Sequence, residues 1–136
     1  MKLETLILAA AASLAAGLAT AHHASSMFDT RNVAYRTGTV SRFEFVNPHA
    51  WVHVMLADAN GETRMWSFEA GSIAQLTSLG WTADSFKPGD EVEIGFHPMM
   101  DGSRGGQFMN AVLADGTKVC SNRGCGDGTG SVLAPF

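Results

Sequence analysis

The sequence predicts a mainly β fold: a small five- to six-stranded OB-fold-like barrel with one short helix between strands 3 and 4. Three observations carry this. Between residues 35 and 119, short segments alternate side chains in the two-residue period of half-buried strands. Turn signals separate them at Asn60-Gly61, Lys87-Pro88-Gly89-Asp90 and Asp115-Gly116. One stretch of helical spacing, Ile73, Leu76 and Leu79, follows the third strand. Strands with a helix at that point give the order of an OB-fold, a partly open Greek-key barrel. A small β-sandwich is the alternative.

Residues 1–21 read as a cleaved signal peptide. Lys2 supplies the positive start, and an apolar run from Thr5 to Leu18 follows, ending in the small-x-small pattern Ala19-Thr20-Ala21. That run is shorter than the roughly 20 residues needed to span a bilayer; an uncleaved anchor is the alternative. Residues 22–34 are polar and irregular, an extended lead-in. The first strand is expected over Tyr35–Val46, with Gly38, Val40 and Arg42 on one side and Thr37, Thr39 and Ser41 on the other. Trp51–Leu56 alternates again, with Val52, Val54 and Leu56 opposite Trp51, His53 and Met55. Asn60-Gly61 predicts a type I′ hairpin into the third strand, Thr63–Glu69, where Trp66 and Phe68 share a face.

Ser72 is a plausible N-cap and Gly80 a C′ residue for a helix of about two turns. Glu91–Phe96 forms the fourth strand, and residues 101–106, with Asp101-Gly102 and Gly105-Gly106, form a long loop. Phe108–Leu113 is the fifth strand and Thr117–Val119 a short sixth piece. Residues 120–136 read as a flexible tail with a disulfide between Cys120 and Cys125, as an oxidising compartment would allow. A metal pair is the alternative, although structural zinc sites usually space their cysteines more closely.

The 136 residues are 46% hydrophobic and 16% charged, which is too apolar for a disordered chain. A formal net charge of −4 argues against a nucleic-acid partner, because phosphate contacts call for a basic surplus. After processing, no apolar run is long enough to span a membrane. Phosphate loops, dinucleotide fingerprints and nucleophile elbows are absent, so nothing supports catalysis.

Histidine concentrates the chemistry. Cleavage after Ala21 would expose His22-His23, where an α-amine and an imidazole, both able to lose protons near neutral pH, can chelate one ion. That set suits copper. The other expected metal ligands are His49, His53 and His97. His49 and His53 resemble the spacing of a zinc-protease helix, but Ala50 replaces the catalytic Glu and the run reads as strand. On a strand the two would lie about 13 Å apart. Met99 and Met100 follow His97 as soft donors or packing residues. Glu69 would hold an imidazole from behind or face water. Trp51 and Trp66, with Trp81, are candidates for stacking on a ligand or partner.

The series His22-His23, Phe28-Asp29, Glu44-x-x-Asn47-Pro48-His49, Trp66-x-x-Glu69-x-Gly71, Gly80-Trp81, Lys87-Pro88-Gly89-Asp90 and His97-Pro98-x-x-Asp101-Gly102 resembles a group of exported bacterial proteins, domain of unknown function 6152. The likeness spans His22 to Val119. Ala24 stands where the pattern has serine, and the cysteine tail lies outside it. The resemblance implies export and one small β-domain, and brings no activity. The expectation is therefore a periplasmic or secreted binding protein. One reading has copper held by His22 and other histidines. The other is a metal-free module for a small ligand or a periplasmic protein partner.

Overall fold

A computed structural model describes residues 26–121. The strands are β1 (Ala34–Glu44), β2 (Trp51–Ala57), β3 (Thr63–Glu69), β4 (Glu91–Pro98), β5 (Gly105–Leu113) and β6 (Lys118–Cys120). One helix, α1 (Ile73–Ser78), lies between β3 and β4. They form one sheet in the order β3-β2-β1-β4-β5-β6, and a parallel pairing of β3 with β5 closes β1–β5 into a barrel. This is the predicted OB-like arrangement, with β6 added to the outside of β5.

The alternation read from the sequence sets the inside of the barrel. Val52, Val54 and Leu56 of β2 are buried to 1% exposure or less. Phe68, Ile94, Phe96 and Phe108 meet them from β3, β4 and β5. Removing so much apolar surface from water is the main stabilising term. At one end Leu76 of α1 is fully buried beside Trp81 and Phe86. Trp81 packs edge-on against Phe108 at 5.1 Å and donates its indole N–H to the Cys120 carbonyl at 2.8 Å. Trp81 is thus a core residue rather than a ligand platform. Ser72 caps α1 as predicted, accepting from Gln75 N.

Three local expectations change. First, β1 carries a bulge between Val40 and Arg42. The extra residue reverses the alternation, so Arg42 and Glu44 face outward although Val40 faces in. Second, the β2–β3 connection is a three-residue loop rather than a type I′ turn. Gly61 N donates to Asp58 O, Asp58 N donates to Glu62 O, and Gly61 takes φ +79°; this is the alternative in which glycine follows an ordinary turn. Third, Gly105 and Gly106 belong to β5, not to a loop. A Cβ on Gly105 would run into the Ser67 carbonyl oxygen, and one on Gly106 into the His97 carbonyl oxygen. Only glycine lets β5 come this close to both neighbours and shut the barrel.

The lead-in is tied to the barrel. Phe28 bridges Met99 and is 7% exposed. Asp29 N donates to Pro98 O at 2.8 Å, and Met100 N to Met27 O at 2.9 Å. At the other end β6 extends to Cys120, which is disulfide-bonded; Cys125 lies outside the described residues. No helix among the described residues is long and apolar enough to cross a membrane.

Candidate functional site

His49 sits just ahead of β2. Ala50 N donates to Gly71 O and Ala70 N to Ala50 O, so the β2–β3 ladder continues one step past Trp51–Glu69. That step fixes His49 beside Glu69, and its Nδ1–H donates to Glu69 Oε1. His97 lies near the end of β4, after a bulge between Gly95 and Phe96. Its Nδ1 is 2.7 Å from the Asn32 carbonyl. A carbonyl and a carboxylate only accept, so both Nδ1 atoms carry hydrogen, and each ring in its neutral form keeps an Nε2 lone pair. No described residue bonds to either Nε2.

Both imidazoles line one open cavity of about 540 Å³, together with Phe28, Glu69, Gln75 and Gln107. The lead-in forms part of this wall, and an acid anchors it. Asp29 accepts from Asn32 Nδ2 at 2.7 Å and from Arg31 Nε at 3.2 Å. The bond from Asn32, then those from Arg31, hold its carboxyl below the ordinary 3.8. Asp29 thus fixes Asn32, whose carbonyl orients His97.

His53 is used differently. It is 7% exposed on the outer face of β2. Its Nδ1 accepts from Ser67 Oγ at 2.8 Å, and its Nε2–H donates to Glu44 Oε1 at 3.1 Å. Arg42 pairs with the same Glu44 oxygen at 2.5 Å, and Trp51 stacks over the ring at 14°. Both nitrogens are committed, and His53 lines neither cavity. His22 and His23 lie outside the described residues. Trp66 is half-buried against Phe68 and Phe96, and its indole N–H is buried with no partner among the described residues.

The described residues contain no group of three or more His, Cys, Asp and Glu placed to hold a metal ion. The 540 Å³ cavity brings together His49, His97 and Glu69, and leaves His53 apart. Gln107 was not anticipated, because the two glycines before it read as loop. A second cavity, of about 580 Å³, lies between residues 79–90 and the β5–β6 hairpin and contains no histidine. Its Asp90 and Asp115 carboxylates are engaged by the backbone N–H groups of Lys87 and Thr117.

A family model described as "Family of unknown function (DUF6152)" matches residues 10–109. The chain belongs to the DUF6152 family. The match holds the cavity residues from Phe28 to Met109; Ser121, which also lines the cavity, lies beyond it with β6 and the cysteines. No curated protein and no solved structure matches this DUF6152 chain.

Proposed function

We propose that this protein is an exported, periplasmic copper-binding module. In this reading the amine and imidazole of His22, with His23, meet His49 and His97 at the cavity beside Phe28. The observation that carries it is the matched state of the two described imidazoles. Each is fixed at Nδ1 by an acceptor and keeps Nε2 free, and both line one cavity. An imidazole held from behind by a carboxylate or a carbonyl is the usual state of a metal-binding histidine. Two such ligands do not complete a site, which is why the processed N-terminus matters. Phe28 lines the cavity and His22 is six residues upstream; at up to about 3.5 Å per residue the terminus has a reach of about 21 Å.

The apolar leader and the Ala-Thr-Ala pattern before His22 support the export part. A metal-free ligand barrel has weaker support. Trp81 is in the core, Trp51 covers His53, and Trp66 packs on two phenylalanines. The test is a Cu(II) titration of chain that begins at His22, followed in the visible spectrum. Binding near one equivalent that weakens strongly in His22→Ala and His97→Ala is expected. A His22→Ala variant as tight as the parent would overturn the reading, as would secreted material whose mass places the first residue elsewhere.

A further inference from the structure

Glu69 and Gln107 are paired positions on β3 and β5. Their chain neighbours Phe68 and Phe108 are 0% and 1% exposed and face the core. Alternation therefore turns Glu69 and Gln107 outward together, and both line the 540 Å³ cavity. Strands paired in this way lie about 4.8 Å apart. The Glu69 side chain is only 17% exposed. One of its oxygens accepts from His49, and the other has no partner among the described residues. The Gln107 side-chain amide has none either. A carboxylate shielded from water ordinarily has a cation or donors on both oxygens, yet neither lysine nor arginine lines this cavity among the described residues. Part of the wall is apolar, with Met109 from β5 and Phe28 from the lead-in. Phe28 is 7% exposed but lies outside the cluster that forms the barrel core, so its burial belongs to the cavity wall.

We propose that this cavity binds an organic ammonium: a primary amine whose nitrogen is held by Glu69 and Gln107 and whose apolar chain lies against Phe28 and Met109. The free groups select this class. A carboxylate oxygen and an amide oxygen accept, and an ammonium has three donors and no acceptor. A primary amine is charged at neutral pH, as the lysine value near 10.4 indicates. Its hydrogen bond to a carboxylate is charge-assisted, and strong where water is scarce. An anion would meet Glu69 with no cation to offset it. An inorganic cation would gain nothing from the apolar wall, whereas a hydrocarbon chain is stabilised there by burial. This inference uses only described residues and is independent of the copper reading.

The test uses metal-free chain processed to His22, titrated by NMR with butylammonium chloride, 1-butanol and sodium butyrate, three probes of similar size and different charge. Butylammonium is expected to saturate and to move the Gln107 side-chain amide and His49 ring signals. Butanol should bind at least about tenfold more weakly, and butyrate should not bind. Glu69→Gln should lower butylammonium affinity about tenfold and Gln107→Leu about threefold. Lys118→Ala, in the other cavity, should leave it unchanged. Equal binding of the three probes overturns the inference, as does a folded Glu69→Gln or Gln107→Leu chain with the parent affinity. If the chain binds Cu(II) but not butylammonium, this inference falls and the copper reading stands. If it binds butylammonium but not Cu(II), the copper reading falls and this inference stands.

Discussion

His49 and His53 are four residues apart, and the fold gives them opposite employment. His53 is buried on the outside of the barrel with both ring nitrogens bonded, one to Ser67 and one to Glu44. His49 is half-exposed in a cavity, with one nitrogen on Glu69 and the other free. The difference is not in the imidazoles but in what each strand offers them. At His53 the neighbours supply a hydroxyl and a carboxylate on opposite sides, which satisfies the ring and leaves it no capacity for a ligand. At His49 and His97 only one side is filled. Satisfied polar networks fix a structure, and half-filled ones at the rim of a cavity can take a ligand.

The contrast breaks most readily at His53. His53→Ala removes a buried ring and strips partners from Ser67 and Glu44. It is expected to lower the unfolding free energy by about 3 kcal/mol, combining cavity and lost hydrogen bonds, as read by urea denaturation. Cu(II) affinity of the folded fraction should stay within twofold of the parent. A variant that keeps its stability but loses copper would exchange the roles assigned to the two histidines.

The converse substitution is His97→Ala. Its ring is half-exposed and bonded to one carbonyl, so stability should fall by less than about 1 kcal/mol. Cu(II) affinity should fall about 100-fold, near 2.8 kcal/mol at 1.4 per tenfold. Isothermal titration of the processed chain reads this directly. Equal losses in His97→Ala and His53→Ala would show that copper responds to general loosening rather than to the cavity.

The alternation of Val52, Val54 and Leu56 and the helix from Ile73 were enough to place strands and helix, because burial imposes their periods directly. The bulge after Val40 has no such signature, and it is what turns Glu44 outward onto His53. The burial of His53 was therefore hidden with it. Gly105-Gly106 was the nearest miss: paired glycines suggest a loop, yet here they mark backbones in close approach, and reading them so would have brought Gln107 into the site. His49 and His97 were visible as candidates, but their placement on one cavity depends on the β3–β5 pairing, a parallel contact between segments far apart in sequence.

Glu69 sharpens the comparison on a smaller scale. Glu69→Gln keeps the shape and the hydrogen-bonding reach but replaces an anionic acceptor by a neutral amide. Outer partners of metal-binding histidines typically contribute 10–100-fold to affinity, so a loss of about tenfold in Cu(II) affinity is expected. The unfolding midpoint should barely move. Glu69→Ala should lose more than Glu69→Gln, because it also frees the ring to turn. Identical affinities in parent, Gln and Ala variants would place Glu69 in packing alone.

The smallest effect concerns Asp29, which reaches His97 through Asn32. Its carboxyl is held below 3.8 by the Asn32 and Arg31 bonds. A depressed acid stabilises the fold above its unfolded value and loses that contribution as pH falls through the lower folded value. The lead-in should therefore hold at pH 5 and loosen only below about 3.8, the ordinary carboxylate value. In a pH titration by NMR, the Asn32 side-chain amide and the His97 ring signals should shift together in that acid range. Asp29→Asn should remove the step while leaving β2 and β3 signals unchanged. If the His97 ring does not follow Asp29, the lead-in does not position it, and the Asn32 carbonyl is only one of several acceptors the ring can use.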